Sequence, residues 1–253
     1  MNWNGIGAIY KFEMARAQRT LWQSLVAPVI TTSLYFLVFG SAIGSRMTDM
    51  AGIGFAAFIV PGLILMSVLT QSIFNASFGI YFPKFTGTIY ELLSAPLSAV
   101  ETVIAYVGAA VTKAVILALI TLATAALFVS FRVDHPILML IAMIAISTGF
   151  CLLGFVIGIW AKNFEQLQVV PLLVVTPLTF LGGVFYSVAT LGEPWQTVTR
   201  LNPILYLVSG FRWTFFSHAD VPLAASVAVM AGAILLPLAA IIWIFRTGYR
   251  LKN

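Results

Sequence analysis

The chain has 253 residues, of which 61% are hydrophobic and only 8% are charged, and its formal net charge is +5. A soluble domain carries about 25% charged residues, so this composition excludes an ordinary soluble enzyme or binding module. The excess positive charge is explained by anionic lipid at a membrane surface, and no nucleic-acid partner is needed to account for it.

Six stretches of the sequence contain no Asp, Glu, Lys or Arg. They run from Thr20 to Ser45, Met50 to Pro83, Ala114 to Phe131, His135 to Ala161, Gln166 to Gly192 and Val221 to Phe245. Each reaches or exceeds the roughly 18 to 20 residues that a helix needs to cross a bilayer. The sequence therefore predicts an all-α integral membrane protein, with one domain over 1–253. Its six-span region, 22–245, is predicted to hold transmembrane helices at about 22–44, 54–79, 102–130, 136–160, 167–190 and 222–245.

Before the first span, residues 1–21 are predicted to form an amphipathic helix in the cytoplasmic interface. The residues that recur at helical spacing are Trp3, Ile6, Tyr10, Met14 and Leu21. Such a stripe on an otherwise polar segment is typical of a helix that lies on a membrane. A frayed polar tail with chance periodicity is the alternative.

Between spans two and three, the loop is interrupted by helix-breaking residues. Pro83 and Gly87 are expected to end the incoming helix, and Pro96 to end a short amphipathic helix over Thr88–Ala95. A short helix of this kind is suited to docking in a groove on another protein. An ordinary interfacial turn is the alternative.

Within the third span, Lys113 is a charge near the middle of the membrane, and Glu101 stands near the start of the same helix. Lys113 either lines a cavity or a subunit contact, where it meets an anionic headgroup or a partner carboxylate, or it snorkels to water. Few other ionisable residues fall within the spans. This scarcity weakens the case for a proton or sodium antiporter.

Two pairs of glycines in the spans, Gly40 with Gly44 and Gly154 with Gly158, have the spacing that brings helices into close contact. They do not by themselves locate a subunit interface. Cys151, the one cysteine, falls in the fourth span and is interpreted as a packing residue. His135 and His218 lie beside separate outer loops, so no metal site is predicted.

Lys and Arg are unevenly distributed between the two sets of segments outside the spans. One set holds Lys11, Arg16, Arg19, Lys84, Lys162, Arg246, Arg250 and Lys252, whereas the other holds Arg46, Arg132, Arg200 and Arg212. Because cations in short loops remain on the cytoplasmic side, both termini, including the tail 246–253, are predicted to be cytoplasmic. The sequence lacks the GxxxxGK[ST], GxSxG and HExxH motifs, so no catalytic centre and no bound cofactor are predicted.

Four segments, in this order, resemble the ABC-2 type transporter permease family. They are FIVPGLILMSV (58–68), GTIYELLSAP (87–96), TPLTFLGGVFYSV (176–188) and LNPILYLVSGFR (201–212). The resemblance covers essentially the whole chain. It implies a permease half-transporter of the bacterial inner membrane, in which two copies form a homodimer and the first and fifth spans meet across its axis.

The resemblance also implies that each copy docks a separate ATP-binding subunit, which holds ATP and Mg. The implied coupling residues are Thr88, Tyr90, Glu91, Leu92, Leu93 and Pro96. The N-terminal helix would form the rest of the docking surface. Glu91 would pair with a cation of the ATPase, although an acid at this position also favours the start of its own helix.

Between the fifth and sixth spans, the resemblance implies two short re-entrant helices in the outer leaflet. The residues assigned to the pathway or its outer gate are Phe180, Phe185, Tyr186 and Lys113. Core packing is the alternative for each aromatic residue. Since the spans carry few polar groups, the expected substrate is amphipathic or lipid-like. An ion-coupled transporter and a non-transporting scaffold remain as alternative functions.

Overall fold

The computed structural model describes residues 1–19, 21–43 and 52–249, and within them helices position every candidate site. In chain order these are α1 (Trp3–Arg19), α2 (Leu21–Tyr35) continued by a π-helix (Phe36–Ile43), α3 (Phe55–Thr86), α4 (Ile89–Ser94), α5 (Ala99–Phe128), α6 (Pro136–Trp160), α7 (Phe164–Val170) continued by a π-helix (Pro171–Val175) and α8 (Thr176–Phe180), a 3₁₀ turn (Val188–Thr190), α9 (Glu193–Arg200), α10 (Pro203–Phe216) and α11 (Leu223–Thr247).

Within the described residues, four helices are long and apolar enough to cross a membrane, namely α3, α5, α6 and α11. The predicted first and fifth spans fall on shorter apolar helices, Val26–Phe39 and Phe164–Phe180. The all-helical membrane class is therefore confirmed, whereas the count of six full spans is not established. The fifth span, predicted as 167–190, ends at Phe180 because the chain turns at Gly183, which has a φ of +76°.

The helix α3 lies at the centre of the molecule, where it packs against α5, α6 and α10. Its buried side chains include Phe58, Ile64 and Leu69, which join Met143 of α6 and Phe211 of α10 in one core. By contrast, only 11% of the most apolar stretch of α11 is buried. Since α11 is strongly apolar, its exposed side is suited to contact with lipid.

Two glycines allow α6 to approach α3 closely. A Cβ atom at Gly154 would lie 2.5 Å from the carbonyl oxygen of Ile73 and 2.8 Å from its Cα, and one at Gly158 would lie 3.0 Å from Ser77 Cα. The close helix contact predicted from this spacing is thus present within one chain. The other pair, Gly40 with Gly44, extends outside the described residues.

Both α3 and α5 exceed the thickness of a membrane. They contain 32 and 30 residues, or about 48 and 45 Å, against about 30 Å of hydrocarbon. The prediction that Pro83 ends the incoming helix is wrong, because Pro83 is buried inside α3. The helix ends instead at Thr86, where Gly87 adopts a φ of +82° that favours glycine.

The described elements form two distinct ends of the bundle. At one end, which we call the α4 end, Lys84 Nζ of α3 donates to Ile159 O of α6 at 2.9 Å. At the opposite end, which we call the α10 end, the backbone N–H of His135 donates to Thr214 O at 2.9 Å. The connection between α5 and α6 therefore lies against α10, on the side where the sequence predicts the outer loops.

Candidate functional site

A cavity of about 780 Å³ lies between α1, α2, α3, α5 and the α7–α8 segment. Its polar lining residues are Arg16, Gln18, Thr70, Gln71, Asn75, Lys113, Gln168 and Thr176. Its walls also contain apolar side chains, among them Phe74, Phe78, Ile116 and Leu172. A cavity of this size with mixed polar and apolar walls suits a small amphipathic ligand.

Behind the wall of this cavity, a buried carboxylate holds two cations. Glu13 Oε2 accepts from Lys113 Nζ at 3.0 Å and from Arg16 Nη2 at 2.7 Å. The Glu13 side chain is only 2% exposed, compared with 9% for Lys113 and 23% for Arg16. Lys113 is therefore paired across two helices and also lines the cavity, so the cavity-wall interpretation fits its position better than snorkelling does.

The N-terminal helix α1 reaches this site because it runs along α5 in the same direction. At its start, the backbone N–H of Asn2 donates to the Glu101 carboxylate, and further along Tyr10 Oη donates to Thr112 Oγ1 at 3.0 Å. Gly5 permits the approach, since a Cβ there would lie 2.5 Å from Leu97 Cδ2. The helix predicted over 1–21 is thus present as Trp3–Arg19, and it is packed against the bundle.

Lys113 lies near the middle of α5. Fourteen residues separate it from Ala99, and 15 residues, or about 22 Å of helix, separate it from Phe128. The helix therefore places this charge about as far from one of its ends as from the other.

The short helix α4 projects from the bundle between α3 and α5. Its Ile89 is buried in the same apolar cluster as Ile80 of α3 and anchors the helix. Most of the predicted coupling residues are exposed, as follows: Thr88, Tyr90, Glu91, Leu93 and Pro96, with Leu92 partly buried. This arrangement leaves one face of α4 accessible to another protein.

A capping box fixes the exit from α4 into α5. The Ser98 side chain accepts from the backbone N–H of Glu101 at 3.3 Å, and the Glu101 carboxylate accepts from the backbone N–H of Ser98 at 2.8 Å. Asn2 Nδ2 also donates to Pro96 O at 3.3 Å. Since the start of α1 and the start of α5 are joined to the same turn, α1 connects the α4 region with the cavity.

A second, smaller cavity of about 210 Å³ adjoins the first between α2 and α3. The two share Ala27, Pro28, Thr70 and Gln71, and the smaller one continues to Tyr35. Its polar lining includes Thr31, Thr32 and Ser67. A row of hydroxyl and amide groups therefore leads along α2 and α3 from Asn75 towards Tyr35.

Beyond the second cavity, four aromatic rings pack together. The Phe185 ring lies 6.0 Å from Tyr35, 5.0 Å from Phe39 and 5.3 Å from Phe180, between ring centroids. The Tyr186 hydroxyl donates to Leu181 O at 2.9 Å. Phe180 and Phe185, both predicted at an outer gate, thus lie together above the cavities, whereas Lys113 lies at the opposite end of them.

The segment that carries Phe185 is held by a buried arginine of α10. Arg212 is 0% exposed, and it donates to Asp220 Oδ2 at 2.8 Å and to Gly183 O at 2.6 Å. Its guanidinium carbon lies 3.8 Å from the centre of the Phe58 ring. The sequence placed Arg212 in an outer segment. From α10, its side chain contacts the turn after α8 through Gly183, the loop before α11 through Asp220, and α3 through Phe58.

Sequence reasoning missed several of these residues. The pairing of Glu13 with Lys113 joins positions one hundred residues apart. The face of α3 that lines the cavity could have been recognised from the sequence. Gln71, Phe74, Asn75 and Phe78 recur at the spacing of one helical face, and two of them are amides within a charge-free stretch. Polar side chains on one face of a membrane helix indicate a protein-facing or water-facing surface.

Taken together, the membrane helices, the cavity with mixed lining and the accessible helix at one end define a membrane transport permease. The family model described as ABC-2 type transporter matches residues 4–216. The chain is 40% identical over 228 residues to the inner membrane transport permease YadH of Escherichia coli K12, covering 90% of this chain and 89% of that protein. It is 23% identical over 239 residues to nodulation protein J of Neorhizobium galegae, covering 94% and 90% respectively.

The chain therefore belongs to the ABC-2 type transporter family. It is a multi-pass membrane permease subunit of an ABC exporter, and the predicted family is confirmed. Members of this family are membrane subunits without ATPase activity, so ATP binding resides in a partner subunit. The prediction that the chain is not itself an enzyme is confirmed on this ground.

Proposed function

We propose that two copies of this chain form the export pathway for an amphipathic, lipid-like substrate, driven by two copies of an ATP-binding subunit. The observation that carries this proposal is the pair of adjoining cavities, which extends from the ionic cluster of Glu13 and Lys113 towards Tyr35. The mixed lining offers hydrogen bonds to a headgroup and apolar contact to a chain.

The second copy would cover the cavity from the side of α2 and the α7–α8 segment. Large apolar side chains on these elements are strongly exposed, among them Ile30 and Leu34 of α2 and Leu172 and Leu173 after α7. A second copy that packs on this surface would close the cavity against lipid. This arrangement agrees with the homodimer axis expected from the family resemblance, in which the first and fifth spans meet.

The outer limit of the pathway would be the aromatic cluster of Tyr35, Phe39, Phe180 and Phe185. Aromatic rings that pack in offset or tilted contact can separate and re-form without loss of a covalent or ionic bond. Tyr186 would support the turn that carries Phe185. In this proposal the cluster opens towards the outer leaflet, and Lys113 binds at the inner end.

Coupling would occur at the exposed face of α4, assisted by α1. The Glu91 carboxylate is exposed in the first turn of α4, where it can pair with a cation on the ATP-binding subunit. Because Asn2 of α1 bonds to the turn after α4, a displacement of α4 would also move α1. Both termini of the chain lie in the cytoplasm in this proposal.

The test is co-expression of the chain with its ATP-binding subunit, followed by purification in mild detergent and an ATPase assay. We expect a stable complex with vanadate-sensitive hydrolysis that substrate stimulates. The Glu91→Lys variant should lower stimulated hydrolysis several-fold, because a charge reversal opposes a cation on the partner. The matched control is Glu193→Lys, an exposed acid in the first turn of α9 at the α10 end.

Two outcomes would contradict this function. A chain that copurifies with no ATP-binding subunit under several gentle conditions would support a scaffold or an ion-coupled transporter. A complex in which Glu91→Lys changes neither docking nor stimulated hydrolysis would remove this residue from the coupling surface.

A further inference from the structure

We propose that the larger cavity selects an amphiphile with an anionic headgroup, which Lys113 and Arg16 bind while the apolar wall accepts its chain. This inference rests on the proposed export function and specifies the substrate class of that site. The relevant headgroups carry phosphate, sulfate or carboxylate, whose oxygens accept hydrogen bonds from ammonium and guanidinium groups.

The ionic cluster places two cations at the cavity. Glu13 Oε2 accepts from both Lys113 and Arg16, and both cations also line the cavity. An anionic headgroup in the cavity would therefore lie beside an ammonium and a guanidinium group, which form charge-assisted hydrogen bonds with anionic oxygens.

The charges that face the cavity are positive. The described residues that line the cavity include Arg16 and Lys113 but no Asp or Glu. Glu13 lies behind this wall, where it holds the two cations from the side of the protein. A ligand in the cavity therefore meets positive charge without a competing carboxylate.

Lys113 has hydrogen-bonding capacity beyond its bond to Glu13. An ammonium group has three N–H donors, and one of them is directed to Glu13 Oε2 at 3.0 Å. Next to it, the amides of Gln71, Asn75 and Gln168 line the same cavity and add donors for headgroup oxygens. These groups form a polar corner suited to one headgroup.

The same cavity also has an apolar wall. Phe74, Phe78, Ile116, Leu117 and Leu172 line the same cavity and present no charge. Their arrangement next to the cations gives the cavity an amphipathic lining.

The experiment uses the purified complex of the chain with its ATP-binding subunit in an uncharged detergent. Two probes with the same acyl chain are compared, lysophosphatidylglycerol, which is anionic, and lysophosphatidylcholine, which is zwitterionic. Binding is followed by thermal shift and native mass spectrometry. We expect the anionic probe to bind about tenfold more tightly, in line with one charge-assisted hydrogen bond.

Variants of the cluster then assign the preference to these side chains. Lys113→Gln should abolish the tenfold preference, and Lys113→Arg should retain most of it because the charge remains. Arg200→Gln, at the exposed end of α9, is the control for a general loss of positive charge. If Lys113→Gln does not fold, Asn75→Leu tests the same corner without removing the partner of Glu13.

The outcomes separate this inference from the proposed function. Equal binding of the two probes, or an undiminished preference in Lys113→Gln, would overturn the anionic selectivity even where ATP hydrolysis is intact. Stimulation of hydrolysis by the anionic probe would identify exported cargo. Binding without stimulation would instead identify a resident membrane lipid, which has the same headgroup chemistry. Absence of any ATPase partner would contradict the proposed function itself.

Discussion

At the scale of single residues, two buried ion pairs join separate elements of this membrane protein. Glu13 of α1 binds Lys113 of α5, one hundred residues away, and Arg212 of α10 binds Asp220, eight residues away in the loop before α11. Removal of one partner leaves a charge in a region of low polarity, so these positions should respond strongly to substitution.

The first prediction concerns Glu13. We expect Glu13→Gln to lower the free energy of unfolding by about 3 kcal/mol, because the buried Lys113 then loses the carboxylate with which it pairs. The measurement is the thermal unfolding midpoint of the detergent-solubilised protein. Glu165→Gln, at an exposed position of α7, is the control and should change the midpoint little.

A double variant tests whether the effect arises from the pair. Glu13→Gln combined with Lys113→Met should be less destabilised than the sum of the two single variants, since neither charge then remains unpaired. Additive effects would show that Glu13 and Lys113 do not stabilise each other.

The second prediction concerns Arg212. Arg212→Lys keeps the charge but loses the planar fork that reaches both Asp220 and Gly183, so we expect a loss of about 2 kcal/mol. The thermal midpoint should fall accordingly. Arg200→Lys is the matched control at an exposed site, and an equal response of both variants would contradict a specific role for the buried guanidinium.

The sequence predicted the chemistry of individual residues better than their partners. Lys113 could be recognised as an unusual intramembrane charge, because no other cation interrupts the spans in this way. Its partner Glu13 could not be recognised. The segment that contains Glu13 was predicted to be a helix from the spacing of its apolar residues, and this spacing does not indicate which helix the segment contacts. The aromatic cluster around Phe185 likewise depends on tertiary contacts between α2 and the turn after α8.

At the scale of helices, local signals located elements well but their ends poorly. Gly87 ends α3 because a positive φ is favourable for glycine, as the sequence suggested. Pro83 does not end it, and the residues on either side of Pro83 are bonded to the end of α6 and the loop after it. Tyr81 Oη donates to Lys162 O at 3.0 Å, and Lys84 Nζ donates to Ile159 O at 2.9 Å. Tertiary packing therefore outweighs the local cost of a proline, which membrane helices tolerate.

The third prediction tests the close contact of α6 with α3. Gly154→Val would place side-chain atoms within the backbone of Ile73, so we expect a loss of about 1 to 3 kcal/mol or failure to fold. The measurement is the yield and thermal midpoint after purification. Gly232→Val in α11 is the control, because a Cβ there meets nothing within 4 Å. Equal stability of the two variants would contradict a tight α3–α6 contact.

At the scale of the whole molecule, the two ends of the bundle differ in what they present. The α4 end holds the exposed face of α4 and the start of α1. The α10 end holds the aromatic cluster and the Arg212 network. An exporter needs such an asymmetry, because energy is supplied on one side of the membrane and substrate is released on the other.

The last prediction fixes the orientation of these two ends. The chain has one cysteine, Cys151, which is 0% exposed, so the native chain is itself a background that should resist labelling. We expect a membrane-impermeant maleimide applied to intact cells whose outer membrane is permeabilised to label Trp195→Cys in α9, whereas Glu165→Cys in α7 should react only after the inner membrane is opened. We expect this pattern because the cations concentrate at the end that holds Lys84 and Lys162, and Lys and Arg in short loops remain on the cytoplasmic side. The opposite pattern would invert the topology, and it would place α4 where no cytoplasmic ATP-binding subunit could reach it.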